Sequence, residues 1–453
     1  MPPVPSALRE FAIPGDLLVT VPDNPRLMTA FILEERGDWF ENEIHFVRHR
    51  LRPGMAVVDI GANYGLYTLS CARRVGPEGR VWAYEPASLP RTCLDRSIVA
   101  NQLPQVRLTG AAISNHCGTA RLGIAANAEL NRLDESSTQY ETVPLTTIDS
   151  ESARWDRPVD FMKIDAEGEE VRILDGAAQF FTRNDPLLML EYHESQTDNL
   201  PLLTALERLG MSIYRFLPSL DALVPLALAP AQPCLLNIFA CRAARAAKLA
   251  ADGTLVESAA PAPSGGTVRL ADWLTARPWR AVFPGLRSAS ANQALHTALE
   301  DTLNGEDPAI PADARLAYKQ RALATLKALV DERASLPRLY SAARVAMDLA
   351  EQELSVAYLL EAARLIAAEP SVSNLIQEPF LPPDRRHDSL GGSGTAKQIL
   401  SIMADEALLE RTTFSVYFAG RKALPVLLRL AHNPLRSPAS EQRLAAARRM
   451  LPV

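Results

Sequence analysis

Asp59-Ile60-Gly61-Ala62-Asn63-Tyr64-Gly65 is the first segment whose residue types and spacing could do chemistry. An apolar run precedes it and a helical pattern follows, so the carboxylate and both glycines fall at a strand-to-helix turn. In a doubly wound sheet the ligand crevice lies outside the carboxyl ends of the strands, at such a turn. Gly61 and Gly65 let backbone approach a ligand where a side chain would collide. The spacing differs from the Gly-x-Gly-x-x-Gly that lays a pyrophosphate on a helix N-terminus. S-adenosylmethionine (SAM) has no phosphate but does have a cationic amino-acid end, for which Asp59 is a partner directly or through water. The next strand ends in Trp82-Ala83-Tyr84-Glu85-Pro86. Glu85 can accept both hydroxyls of a ribose, a little beyond the separation of roughly 20 residues expected for that role. NAD has the same ribose, so the glycine pattern, and not Glu85, separates the two cofactors.

Two further clusters fall after later strands: Asp165 with Glu167, and Glu191 with His193. Methyl transfer from a sulfonium is an in-line displacement that needs alignment, desolvation and, for a hydroxyl acceptor, a base. His193 suits that task, since a free imidazole titrates at about 6.5. It could equally orient a neighbour or face solvent. Asp165 could bind the acceptor or the methionine end, and Glu167 could cap the following helix. Three carboxylates and an imidazole could also hold Mg²⁺ or Mn²⁺. The expectation is nevertheless a site without metal.

The elements that must position these residues are short apolar strands alternating with helices. Strands are expected at Met55–Ile60, Arg80–Tyr84, Val106–Ile113, Phe161–Ile164, Leu187–Leu190, Ser212–Phe216 and Asn237–Cys241. Helices are expected over Tyr64–Val75, Leu89–Asn101 and Leu200–Leu209. Such alternation gives an α/β fold, a mostly parallel sheet with helices on both faces. Between Gly118 and Ile148 the pattern breaks into shorter extended pieces, read as an inserted hairpin or flap.

With its motifs in order, the sequence resembles the FkbM family of SAM-dependent methyltransferases over about residues 36–243. The matching segments are Val57 to Gly65, Gly79 to Pro86, Asn101, Leu145 to Asp149, Phe161 to Gly168, and Leu190-Glu191-Tyr192-His193. The resemblance implies a Rossmann-like class I methyltransferase fold and O-methylation of a hydroxyl on a sugar, glycan or secondary metabolite. By the same resemblance Asp59, Gly61, Asn63, Gly65 and Glu85 carry over as SAM contacts. Asn101 and Ser114 carry over as neighbours of the adenosine. Arg36 to Glu43 looks like a family lead-in able to cover the cofactor cleft; an ordinary amphipathic helix start reads the same way.

At 453 residues the chain exceeds what one core usually supports. Its expected divisions are a lead-in over 1–50, a SAM-binding domain over 51–245, a Pro/Ala/Ser/Gly-rich linker over 246–268, and an all-α domain over 269–453. Within the last, helices are expected at Asn292–Leu303, Pro311–Glu332, Pro337–Ala350, Leu354–Ala367, Ala396–Glu410, Thr413–Ala431 and Ser440–Met450. Leu339 to Pro370 looks like a degenerate tetratricopeptide-type helix pair, although a plain bundle explains it as well. Gly391 to Gly394 precedes a helix but lacks a Lys-Ser ending, so it reads as a loop and not an anion site. The helical half is where a protein partner, a bound acceptor or a second copy of the chain is expected.

The net charge of −6 speaks against a nucleic-acid partner, which needs a basic surface. Five scattered cysteines form no metal or disulfide pattern and read as buried thiols. With no secretory leader pattern and no long apolar run, a cytoplasmic chain that does not enter a membrane is expected. A chain of this kind could methylate a small molecule, could methylate a protein recruited by the helical half, or could be a SAM-binding scaffold without activity.

Overall fold

A computed structural model describes residues 7–192, 196–226, 235–261, 266–283, 286, 292–391 and 394–450. The chain forms two compact units. One takes residues up to Phe216 together with Leu223–Leu255; the other takes Leu217–Ala222 and the chain from Val256 onward.

Among the described residues there are fourteen strands, all or nearly all of each in the first unit: β1 Leu8–Ile13, β2 Leu17–Pro22, β3 Ala56–Ile60, β4 Arg80–Tyr84, β5 Val106–Thr109, β6 Ala112–Ile113, β7 Gly118–Gly123, β8 Arg132–Leu133, β9 Tyr140–Thr146, β10 Phe161–Ile164, β11 Leu187–Glu191, β12 Met211–Leu217, β13 Ala222–Pro225 and β14 Asn237–Arg242. Eight of them make one sheet in the order β13-β12-β14-β11-β10-β3-β4-β5. From β11 to β5 the strands run parallel, and β14 lies antiparallel between β11 and β12. The chain leaves β3 toward β4 and β5, then returns to the other side of β3 as β10. That reversal makes the space beyond the ends of β3 and β10 the switch point where such sheets bind ligands.

The period of two along each strand sorts side chains into two apolar layers. Val57, Val81, Phe161, Met189 and Phe239 face one layer; Ala56, Val58, Ile60, Met162, Leu188 and Ile238 face the other. Asp59 and Lys163 share the parity of Val57 and Phe161, so both point into the first layer. The described part of the expected lead-in, residues 7–50, packs against that layer. β1 pairs with β2, and helices Met28–Arg36 and Glu43–Arg50 follow. Val19, Val21, Ile44 and Phe46 are buried in the same cluster as the sheet. Phe46 meets Phe239 with ring centroids 4.7 Å apart.

The expected strand Val106–Ile113 divides. β5 stays in the main sheet, whereas β6 joins β9, β7 and β8 in a second sheet, the inserted piece expected between Gly118 and Ile148. Gly110 lies at the break, and the Arg91 guanidinium packs where a side chain there would stand. The segment read as a linker is also partly structured. Ala243–Ala251 is helical, as an alanine-rich run favours, and Leu255 bridges to Leu223 in the first unit. Cys71, Cys93 and Cys241 are buried, but Cys117 is exposed. No described helix is long and apolar enough to cross a membrane.

In the second unit helices Gln293–Glu306, Ala312–Glu332, Leu336–Asp348, Gln352–Ala368 and Ala396–Thr412 follow one another. The expected helix Thr413–Ala431 is broken into Val416–Ala419, a 3₁₀ turn over Gly420–Ala423, and Leu424–His432. Gly420 adopts a positive φ that stops the first piece, and Pro425 occupies the first turn of the last, where its missing N–H costs nothing. The centre of this unit is ionic as well as apolar. Arg344 is buried and donates to Glu306 at 2.7 Å and to Asp388 at 2.7 and 2.9 Å. Asp348 joins Arg385 and the buried Lys319 beside it. Removing one member of a buried ion network strands the others. Arg344→Met is therefore expected to lower stability by about 3–5 kcal/mol, read as a shift in urea unfolding of the full chain followed by circular dichroism.

Candidate active site

The central carboxylates of the site are carried by the carboxyl edge of the parallel strands. Asp59 lies near the end of β3, Glu85 follows β4, Asp165 and Glu167 follow β10, and Glu191 ends β11. β14 runs the other way, so its first residue, Asn237, reaches the same edge.

The turn after β3 is held by backbone. The Gly61 and Ala62 N–H groups both donate to the Tyr84 carbonyl at 3.0 Å. Gly61 and Gly65 have φ of 79° and 91°. A Cβ on Gly61 would stand 1.7 Å from the Asp165 carbonyl oxygen, so only glycine fits against the loop after β10. Asn63, also at positive φ, donates its N–H to Glu85 Oε2 at 2.7 Å, and the Ala87 N–H donates to Oε1 at 2.7 Å. Glu85 is buried, and that burial pushes its pKa up to about 7 against the lowering effect of the two N–H groups. Asp59 is fully buried. Its Oδ2 accepts from Thr68 at 2.5 Å, while its Oδ1 has no partner among the described residues. Asn63 Oδ1 is likewise buried and without a partner among the described residues. A pair of unsatisfied acceptors beside a glycine turn is what a ligand bearing donors would complete.

Lys163 faces Asp59 across β3 and β10 and donates to Asp165 Oδ2 at 2.7 Å. Its ammonium also lies 5.0 Å from the centre of the Tyr67 ring. Burial opposes its charge, but Asp165 and Asp59 outweigh that penalty and raise its pKa. Tyr67 donates to Glu41 Oε2 at 2.7 Å, and Asn237 donates to the same oxygen at 3.1 Å. The lead-in thus brings a half-buried carboxylate to the sheet edge, where desolvation and then Asp165 raise its pKa. Reasoning from the sequence overlooked Lys163, Tyr67, Glu41 and Asn237 as a set. The available signal was Lys163 itself, since a lysine inside an apolar strand must find a carboxylate partner.

Asp165, Glu167 and Glu191 converge. Each offers a carboxylate oxygen within 4.8 Å of the others, an oxygen set that could share protons or surround a divalent cation. Burial, followed by repulsion from Asp165, raises the pKa of both Glu167 and Glu191. Glu167 adopts φ of 51° and does not cap the helix Glu170–Asp175. Glu170 itself accepts from the Ala166 and Gly168 N–H groups there. His193, the expected base, lies outside the described residues.

Two residues expected near the adenosine, Asn101 and Ser114, make hydrogen bonds within the fold. Asn101 lies past the end of helix Ser88–Ala100, whose 13 residues run about 20 Å away from Glu85 toward the opposite edge of the sheet. Its carboxamide accepts from the Leu18 N–H and donates to the Leu18 and Ser97 carbonyls, fixing β2 to that helix. Ser114 is buried and donates to Glu169 Oε2 at 2.8 Å, joining β6 to the turn after β10.

Comparison with known proteins gives a family for part of the chain. Residues 59–213 match the model of the methyltransferase FkbM domain. No curated protein matches the chain. Among solved structures, a methyltransferase FkbM from Methylobacillus flagellatus KT is similar at 18% identity, with a TM-score of 0.32. The match covers 45% of this chain and 48% of that one, so this chain spans about half of its length. A SAM-dependent O-methyltransferase from Thermotoga maritima is similar at 14% identity, covering 44% of this chain and 64% of that one, with a TM-score of 0.26. A SAM-dependent methyltransferase from Aquifex aeolicus is similar at 14% identity, covering 46% and 91%, with a TM-score of 0.26. Over residues 59–213, from the carboxylate that ends β3 to the start of β12, the chain carries a methyltransferase FkbM domain.

Proposed function

We propose that the chain transfers the methyl group of SAM to a hydroxyl on a small molecule or glycan. The observation that carries this reading is the order of groups along one sheet edge. The glycine turn and Glu85 lie on one side of Asp59, and the Asp165–Glu167–Glu191 carboxylates lie on the other.

When bound, SAM supplies a methyl group already activated by its sulfonium. The chain's residues divide the remaining tasks. The unpartnered Asp59 Oδ1 suits the cationic amino-acid end, and Glu85 suits the ribose hydroxyls while Asn63 and Ala87 hold it in place. Gly61 lets the backbone come close. The acceptor hydroxyl gives up its proton to a carboxylate oxygen of the acidic trio, where neighbouring carboxyls share it. His193 is a second candidate for that proton. Lys163 already supplies a positive charge 2.7 Å from Asp165, which favours proton sharing over a bound metal in the trio.

Calorimetric titration with SAM, S-adenosylhomocysteine and NAD tests the cofactor. Binding of both sulfur nucleosides, lost in Glu85→Ala and absent for NAD, is expected; binding of NAD alone would refute the reading. Protonation removes an acceptor from Glu85, so affinity should fall as pH drops through about 7, by at most about tenfold per unit. Glu85→Gln should flatten that dependence. EDTA is expected to leave methyl transfer intact; loss restored by Mg²⁺ would place a metal among Asp165, Glu167 and Glu191. His193→Ala should lower turnover much more than SAM affinity, and an equal loss of both would make it structural.

A further inference from the structure

The second unit contains a groove of about 580 Å³ between helices Ala396–Thr412 and Leu424–His432. Its volume falls within the range of pockets that take small organic ligands, roughly 300–1,000 Å³. Lys397, Ser401 and Asp405 recur at every fourth position and so form one stripe along the first helix. Leu428, Arg429 and His432 face them from the second.

Hydrogen bonding in this groove is lopsided. Three of the amide and hydroxyl acceptors are committed: Gln398 Oε1 takes the Thr395 N–H, Thr395 Oγ1 takes the Gln398 N–H, and Asn433 Oδ1 takes the Leu435 N–H. Buried Asp405 takes Arg429 Nε at 2.7 Å. Donors are left over. Arg429 spends only Nε, so among the described residues its two Nη groups have no partner. Lys397 spends one N–H on the Glu369 carbonyl at 3.3 Å, and Gln398 Nε2 spends none. The positive charges of Lys397 and Arg429 outnumber the one carboxylate, and His432 adds an imidazole. Leu428, 45% exposed, supplies an apolar wall beside the donors. The helix start contributes nothing separate, because its Thr395–Gln398 capping box already satisfies it.

We propose that this groove binds a small organic anion, its carboxylate or phosphate held by the Arg429 Nη groups and Lys397. Guanidinium N–H pairs match both oxyanions in geometry, and the groove is larger than a bare ion needs. The assignment is independent of the methyl-transfer reading, since none of these residues belongs to the first unit.

Titration of the full chain with glucuronate, glucose 6-phosphate, inorganic phosphate and neutral glucose tests it. Sub-millimolar binding of glucuronate or glucose 6-phosphate, with none of glucose, is expected, and whichever binds identifies the oxyanion. Lys397→Gln should weaken that binding by about tenfold, the effect of losing one hydrogen bond to a charged group. Arg429→Gln alone would leave Asp405 buried and unpaired, so the paired variant Asp405→Asn/Arg429→Gln is used and should abolish binding. Absence of binding at millimolar concentration, or binding unchanged in both variants, would overturn the proposal; the latter would mean an adventitious ion only.

Discussion

A buried ammonium holds the carboxyl edge of the sheet together. Asp59, Asp165 and Glu41 stand near one another in an interior that disfavours charge, and Lys163 is the cation within their reach. Its own burial is tolerable only because of them, as desolvation of a lone lysine would drive off its proton. The arrangement is therefore mutual. Strand register supplies the geometry: Lys163 pairs across from Asp59, and its side chain, two residues before Asp165, points to the same face.

Segments far apart in sequence complete that edge. The hairpin and helices before β3 do more than precede the methyltransferase domain, because they fill one of its apolar layers and deliver Glu41 to Tyr67 and Asn237. The inserted sheet reaches the same region from the other side: Asn127 accepts from the Met28 N–H, and Glu129 accepts from Thr29. Helix Met28–Arg36 is thus fastened at its start by the insertion and at its base by the core.

Much of this was legible before any coordinates. The strand, glycine turn and Glu85 succession was readable because each follows a local rule about strand ends and backbone freedom. So was the convergence of Asp165, Glu167 and Glu191, since parallel strands deliver their carboxyl ends to one edge. Less legible was which partners the side chains beyond that edge would find. Asn101 was assigned by its place in a motif, yet a helix carries it to the far side of the sheet. Ser114 sits near the right strands but meets Glu169. Glu41 was read only as part of a lead-in or amphipathic helix start, and its bonds to Tyr67 and Asn237 depend on tertiary packing. In the helical unit, one positive φ at Gly420 divided what hydrophobic periodicity read as a continuous helix.

The contact between Gly61 and the Asp165 carbonyl has a consequence for how such a domain can change over time. The turn that would meet the cofactor and the loop that would meet the acceptor touch with no room for a methyl group between them. Neither can drift without the other. New acceptor specificity is then more accessible through the inserted sheet and the lead-in, which border the crevice without forming that joint. The methyl-donor side stays fixed while its rim is free to be rewritten.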